Sequence, residues 1–352
     1  MEKVVLLPDS QYEEWDSFVK YNPLGKIYHL TGWKRVLEKS FSHIHGYFLI
    51  IIHSVSKDIR AGIPVYLVKS RLTGNRLVSI PFATVSDLLI SSSKHWNLLW
   101  PEIVNLSQKL NAPRIDLRTW MKPNININTL DEIRATHVHH FIRLNKSLDE
   151  ILVSCRSNCR NHIRKSWKGA LSFKVAHTHD DLLLFFKIYS QTRKRLALPT
   201  IPFQFFKNLW DAFSAKGQIN VHLAVSGNQV IGAQLNTAFN GLYVSEAAGD
   251  DNKFRNYNTN YFLYWETIKK AYQEQYDIFS LGRTSPGNQG LLEFKNGWGT
   301  TQDHLHEVRY PGNLNQDPQK NPILYKAVRK MSHHMPVILS NSWGRLIYRH
   351  MG

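Results

Sequence analysis

One order of elements occurs twice in this chain, and that repetition restricts its architecture more than any single motif. In the first half, 11–20 has helical character and ends at the Asn22-Pro23 break. A second helix is expected from Thr31, a good N-cap, with Trp33, Val36 and Leu37 at helical spacing. Apolar runs at 47–53 and 61–68 flank a Ser-Lys-Asp turn and predict a hairpin. Val78-Ser79-Ile80-Pro81-Phe82 then enters a strand-loop junction, 95–110 is an amphipathic helix and 114–117 a strand. The second half repeats this order. Helices are expected at 181–196 and 202–213, a hairpin at 221–225 and 230–239 around Ser226-Gly227-Asn228-Gln229, a strand at 243–247, a helix at 260–275 and a strand at 276–281. Gly62 and Gly232 fall at matching points of the two hairpins, and 137–144 reads as a strand leading out of the first half.

Two copies of one α/β module, with mixed sheets, account for 352 residues better than one oversized domain. The expected division is 1–145, 146–311 and a basic tail, 312–352. The tail interleaves Lys326, Arg329, Lys330, Arg345 and Arg349 with Tyr325, Val328, Met331, Val337, Ile338, Leu339, Trp343, Leu346 and Ile347. That mixture suits either an amphipathic segment on an anionic membrane or a helix packed on the body of the protein. Forty-four Lys and Arg against 27 Asp and Glu give a net charge of +17, a field that attracts polyanions or an anionic membrane. No apolar run reaches the roughly 18 residues of a spanning helix, and Met1-Glu2-Lys3 opens directly into Val4-Val5-Leu6-Leu7, so neither a spanning helix nor a signal peptide is expected. Two cysteines make no disulfide framework, and a cytoplasmic protein, free to associate with the inner face of the plasma membrane, is the expectation.

The stretch 276–299 concentrates the chemistry. A short strand leads into the Gly/Ser/Pro loop 282–290 and then an apolar turn in which Lys295 follows Phe294. A lysine held out of water there would stabilise an oxyanion or phosphate; a solvated surface lysine is the plainer alternative. A second cationic region, 154–169, places Arg156, Arg160 and Arg164 at i, i+4 and i+8, a face able to grip phosphates or simply to be solvated. Cys155, Cys159 and His162 share a helical face but supply three ligands without the turn-based spacing of a zinc site, so no metal is expected. His137, His139 and His140, like His304 and His306, alternate as strand residues do. GxSxG, HExxH and P-loop sequences are missing, which withdraws support from serine hydrolase, zincin and P-loop kinase readings.

Acyl-CoA-dependent N-acetyltransferases of the GNAT type place an Arg/Gln-x-x-Gly-x-Gly/Ala turn at a helix start, where bare amides cradle a pyrophosphate. The corresponding turn here is Arg255-Asn256-Tyr257-Asn258-Thr259-Asn260, with asparagine at both glycine positions. Asparagine tolerates the left-handed conformation, but its side chain obstructs close approach.

The tandem module, Phe294-Lys295 after Leu281-Gly282-Arg283-Thr284-Ser285, Arg195 closing Thr192-Arg193-Lys194-Arg195-Leu196, and the Gly32-Trp33-Lys34-Arg35 entry resemble the Fem family of peptidoglycan-bridge aminoacyltransferases, which have two GNAT-like domains. Ser79-Ile80-Pro81-Phe82 and the 282–299 run are similar to a FemAB-like branch associated with exopolysaccharide and exosortase loci. The resemblance covers roughly residues 10 to 310, and it implies transfer of an amino acid from its tRNA ester to an amine of a lipid- or nucleotide-linked envelope precursor, with no cofactor. It further implies that Lys295 and Phe294 sit near the tRNA 3′ end and the oxyanion. Arg195 and Arg35, or its neighbour Lys34, would hold acceptor phosphates; Arg283, Tyr257 and Tyr261 would line the substrate, and Arg156, Arg160, Arg164 and Arg255 would meet tRNA or phosphate. Asp250, Asp251 and Glu246 lie near the presumed cleft, with none singled out as a general base. Acyl-CoA as donor, or a non-catalytic polyanion- or membrane-binding role, are the alternatives.

Overall fold

The structure, a computed structural model, describes residues 2–125, 132–311 and 322–350. In chain order its elements begin with β1 (Glu2–Leu6), α1 (Tyr12–Tyr21), α2 (Thr31–Ser40), β2 (Ile44–His53), β3 (Ile59–Val68), β4 (Arg76–Val78), α3 (Ser93–Lys109), β5 (Arg114–Thr119) and β6 (Glu132–Arg143). Next come α4 (Leu148–Ser154), α5 (Ser157–Lys168), β7 (Leu171–Val175), α6 (His179–Arg195), α7 (Phe203–Phe213), β8 (Ile219–Ser226), β9 (Gln229–Phe239) and β10 (Leu242–Asp250). The chain continues with α8 (Thr259–Gln273), β11 (Ile278–Thr284), α9 (Gln289–Asn296), β12 (Thr301–Tyr310), α10 (Pro322–His334) and α11 (Val337–Tyr348). Both expected hairpins form, β2 with β3 and β8 with β9, because each joins two apolar runs through a polar turn.

These elements make two compact units, Met1–His137 with His304–Tyr325 and Leu346–Gly352, and Val138–Asp303 with Lys326–Arg345. Each is assembled from separate stretches of chain. The first unit's strands run in the order β1-β2-β3-β4-β5-β12, antiparallel except for the parallel β4–β5 pair. The second unit's run β7-β8-β9-β10-β11-β6, again antiparallel except for one parallel pair, β10–β11. Thus β6, which follows the first repeat in sequence, completes the sheet of the second, and β12, which follows the second repeat, completes the sheet of the first.

Each unit closes its core with the helix that precedes its last parallel strand. In the first, Trp96, Leu99, Trp100 and Ile103 of α3 pack on Ile51, Ile63, Val65, Leu77, Ile115 and Leu117. In the second, Tyr264, Trp265, Ile268 and Ala271 of α8 pack on Tyr243, Phe279 and Leu281, with Cys155, Cys159 and Trp298 filling the edge. Burying such a side chain contributes about 1.5–3 kcal/mol.

Of the expected basic tail, 312–321 and the side chains of Tyr325, Val337 and Ile338 lie outside the described residues. The rest includes α10 and α11. Within the second unit, Asn341 Oδ1 accepts from Phe203 N at 3.0 Å, and Gly344 lies so close to Thr200 that a Cβ would fall 1.9 Å from its carbonyl oxygen. Lys326, Lys330, Met331, Leu339 and Arg345 remain exposed. Among the described residues, no helix is long and apolar enough to cross a membrane.

Candidate active site

The second unit contains a fork. β10 and β11 pair in parallel only from Leu242↔Ile278 to Val244↔Ser280. Beyond that point β10 continues along β9 through a register shift at Ser245/Ala247, and β11 continues along β6 through one at Ser280/Gly282. Two bulges at the same level turn the strands away from each other, and Gly282 takes the left-handed φ of 80° that lets β11 bend.

Lys295, on α9, lies on the β11 side of this fork and is only 4% exposed. Its Nζ donates to the carbonyls of Gly282 (3.0 Å) and Arg283 (3.1 Å). Burial, followed by the like charge of Arg283, pulls its pKa down to about 7. The solvated-lysine alternative therefore does not describe it. Across the sheet His140 pairs with Gly282, and burial followed by the Lys295 charge lowers its pKa to about 4, leaving a neutral imidazole. His140 Nδ1 meets Thr300 Oγ1 at 3.3 Å, and that hydroxyl donates to Lys295 O at 3.2 Å. Phe294 lies edge-on to Tyr261 and Tyr264, at centroid distances of 5.5 and 5.7 Å.

On the β10 side the chain reaches α8 through a 3-10 turn, Asn252–Tyr257, and then Asn258 in the left-handed region at φ 54°, ψ 40°. The amides of Lys253 and Phe254 donate to Asp251, and that of Asn258 to Arg255 O. Asn258 gives α8 no side-chain cap; instead its Oδ1 meets His162 Nδ1 at 2.8 Å. His162 stacks on Tyr261 at 4.6 Å, so α5 and α8 are joined through one of the expected substrate residues. Tyr257 packs on Phe254 and lies against Gly169, and Arg255 is exposed.

The expected arginine face is only partly assembled. Arg156 is the N-cap of α5 rather than a member of it, and the Arg160 guanidinium donates to Val153 O (2.8 Å) and to Cys155 O, at the end of α4. Arg164 is exposed. Arg195 donates to Asp250 Oδ1 (2.6 Å) and Asn252 Oδ1 (3.1 Å), tying the end of α6 to the end of β10 and neutralising one carboxylate near the presumed cleft. Arg35 and Lys34 belong to the first unit, where both lie over the Tyr12 ring and Lys34 also pairs with Glu38 at 2.8 Å. Cys155 and Cys159 are free thiols in the core, and among the described residues no group of three or more His, Cys, Asp or Glu could hold a metal ion.

Sequence reasoning placed His140 only as a strand residue, and it missed a buried set of polar side chains behind the fork, His222, Gln234, Thr267 and Ser245. One signal was present: Gln234 and Asn236 fall two residues apart, on one face of a strand whose neighbouring positions Ala233 and Leu235 are apolar.

Residues 153–296 match the acetyltransferase (GNAT) domain family. No curated protein sequence matches the chain. Among solved structures, FemX shares 13% identity at a TM-score of 0.71, covering 93% of this chain and 100% of FemX. A tandem GNAT protein from the clavulanic acid biosynthesis pathway matches at 8% identity and a TM-score of 0.54, over 90% of this chain and all of that one. L-PGS from Bacillus licheniformis matches at 10% identity and 0.52, over 87% and 97%. Residues 153–296 thus place a GNAT acetyltransferase domain around the fork, and the chain as a whole shares the Fem-like, tandem GNAT fold.

Proposed function

We propose that this protein transfers an aminoacyl group from aminoacyl-tRNA to an amine of a lipid- or nucleotide-linked cell-envelope precursor, forming an amide. The observation that carries this choice of donor is the approach to α8. Three amides of the turn, at Lys253, Phe254 and Asn258, already donate within the turn, and asparagines stand where a CoA-type loop has glycines. Those three amides are closed to a pyrophosphate and the asparagine side chains crowd its approach to the start of α8, whereas an ester on a tRNA 3′ end presents a single ribose and phosphate.

The fork's chemistry fits such a donor. An ester needs neither metal nor covalent intermediate for aminolysis, only an amine held in line and a stabilised oxyanion. Lys295 and Phe294 are the residues proposed to meet the reacting ester, with Tyr261 and Tyr257 flanking it, Arg283 beside it and Arg255, Arg156 and Arg164 reaching tRNA phosphates. Arg195, Arg35 and Lys34 are proposed to serve the acceptor. The exposed Lys326, Lys330 and Arg345, set among Met331 and Leu339, support docking at an anionic membrane carrying a lipid-linked acceptor.

The test is transfer of label from pooled charged tRNAs into lipid and polysaccharide fractions of a bacterial lysate, with and without the protein. RNase-sensitive incorporation is expected. RNase-insensitive incorporation that depends on added acyl-CoA would replace this donor with acyl-CoA.

A further inference from the structure

Behind the fork runs a chain of buried hydrogen bonds whose direction can be read from its donors. Thr267 Oγ1 donates to Gln234 Oε1 at 2.9 Å, so towards His222 it can only accept. His222 Nδ1, 2.9 Å away, therefore carries the ring proton, and Nε2 presents its lone pair to the Tyr243 hydroxyl at 3.3 Å. Asn236, whose amide nitrogen is placed 3.2 Å from the same Nδ1 while its buried Oδ1 has no partner, fits this network with its amide turned so that the oxygen faces Nδ1 and accepts from it. From Gln234 the chain continues: Nε2 donates to Ser245 Oγ at 2.7 Å, and Ser245 Oγ donates to the Tyr264 hydroxyl oxygen at 3.3 Å. Every bond from Tyr243 to Ser245 points the same way. The last proton, on Tyr264, is directed away from Ser245.

The chain's end coincides with the fork. Ser245 is the first residue of β10 beyond its pairing with β11 and the point where its register shifts. The Tyr264 ring touches Phe279 on β11, and Phe294 and Trp298 on either side of Lys295. Every member of the chain is at least nine-tenths buried. Aligned bonds in such a medium polarise one another and strengthen the terminal donor. Burial also holds the Tyr264 hydroxyl above its ordinary pKa, so it keeps its proton, while His222 is held down at about 3 and stays neutral.

We propose that Tyr264 is a catalytic residue whose hydroxyl donates to the acyl carbonyl oxygen as it becomes the tetrahedral oxyanion, and that the chain from Tyr243 to Ser245 orients and polarises that donor. The proposal rests on acyl transfer at the fork, with either an oxygen ester or a thioester as donor. The amine nitrogen bonds to the carbonyl carbon, whose oxygen takes the electron pair against Tyr264. Collapse then breaks the bond to the departing oxygen or sulfur, which receives the proton the amine loses. Tyr264 lends its hydrogen bond throughout and keeps its proton.

Tyr264→Phe removes one oxygen and preserves the packing. It should lower kcat about 10²-fold with KM within about 2-fold, the mark of a donor used only in the transition state. Ser245→Ala, which leaves Tyr264 intact, should lower kcat by a smaller factor. Melting temperatures close to that of the unaltered protein would separate these losses from misfolding. A kcat for Tyr264→Phe within about 3-fold of the unaltered protein, on the donor it prefers, overturns the catalytic role. The relay has a readout independent of turnover: with ring-labelled tyrosine, Ser245→Ala should shift the Tyr264 carbon resonance nearest the hydroxyl, and an unmoved resonance overturns it. An unaltered protein that transfers from neither charged tRNA nor acyl-CoA removes the acyl-transfer reading and the catalytic role together, and the resonance alone then judges the relay.

Discussion

Among the described residues each unit buries one lysine near the chain that follows its parallel strand pair, and the two lysines are held differently. In the first unit Lys26, 8% exposed, sits 5.9 Å from the Trp120 ring centroid with the Asp87 carboxylate near it. Asp87 is itself fixed by accepting from the amides of Trp120 and Met121, at 3.0 and 2.9 Å. In the second unit Lys295 has carbonyl oxygens as partners and the like charge of Arg283 beside it. An opposite charge makes a buried lysine part of the scaffold; a like charge leaves it ready to accept an anion. The strands differ in the same sense. After its three-residue parallel pairing β4 gives way to irregular chain that returns only as a bridge from Leu89 to Gly62, whereas β10 runs on as a strand to Asp250 and keeps the fork open.

The sharpest way to break this comparison is to remove each lysine. Lys295→Ala should lower turnover by about 10²–10³-fold at nearly unchanged stability, as the loss of a preorganised oxyanion donor does. Lys26→Ala should instead destabilise the protein by about 1–3 kcal/mol at neutral pH, because it removes the positive charge that favours ionised Asp87 and the side chain beside Trp120. Denaturant titrations beside steady-state kinetics decide it. Turnover lost at full stability in Lys26→Ala would mean that the first unit's lysine also meets substrate.

The matching glycines give the next largest effect. A Cβ on Gly62 would fall 2.4 Å from the buried Trp15 ring of α1, and one on Gly232 would fall 2.3 Å from Thr259 Cγ2 at the start of α8. Both alanine variants should cost about 1–3 kcal/mol by overpacking. Only Gly232→Ala disturbs the helix that borders the fork, so only it should raise KM for the donor. Equal effects on KM would erase the distinction between the units.

Their position in the hairpins was legible from sequence; the helix each one faces was not. The same boundary runs through the whole molecule. Hydrophobic period and turn residues are local signals, and they located both hairpins, α3 and α8. The exchange of β6 and β12 between the two sheets depends on pairing across more than a hundred residues, which no local pattern carries. Asn258 was readable as a left-handed residue because so few side chains tolerate that conformation. The burial of Lys295 was not, because it depends on what Trp298, His140 and β11 place around it. Arg160 looked like part of a cationic face by spacing, yet the break between α4 and α5 turned it onto carbonyls.

Lys295 and Asp87 titrate with opposite signs. Lys295 titrates at about 7 folded and near 10.5 unfolded, so between those values the unfolded chain holds the extra proton and stability rises with pH. Asp87 titrates at about 6 folded against 3.8 unfolded, so between those values the folded chain holds the extra proton and stability falls as pH rises. Lys295→Met should flatten the slope above pH 7, and Asp87→Asn should make stability rise more steeply with pH below about 6, where the buried His29, His140 and His222, held at about 4, 4 and 3, already raise it. Melting temperatures across both windows check this, and a slope above pH 7 that survives Lys295→Met would assign it elsewhere.

The smallest effect concerns the helices that follow the two strands. α3 starts in the usual way, with Ser92 Oγ accepting from His95 N at 3.4 Å, whereas α8 starts from a left-handed asparagine that offers its first turn no cap. Asn258→Gly relieves the left-handed strain and forfeits the contact with His162, two changes of opposite sign that should leave stability within about 1 kcal/mol. The variant also clears a side chain from the path a pyrophosphate would take. If committed amides are what disfavour CoA, acyl-CoA should bind Asn258→Gly no better than the unaltered protein by calorimetry, since Lys253 and Phe254 still donate to Asp251. A strong gain in acyl-CoA affinity would mean that the asparagine side chain was the obstacle. The second unit would then be one substitution away from a CoA-dependent site, a distance the first unit, with its conventionally capped α3, does not share.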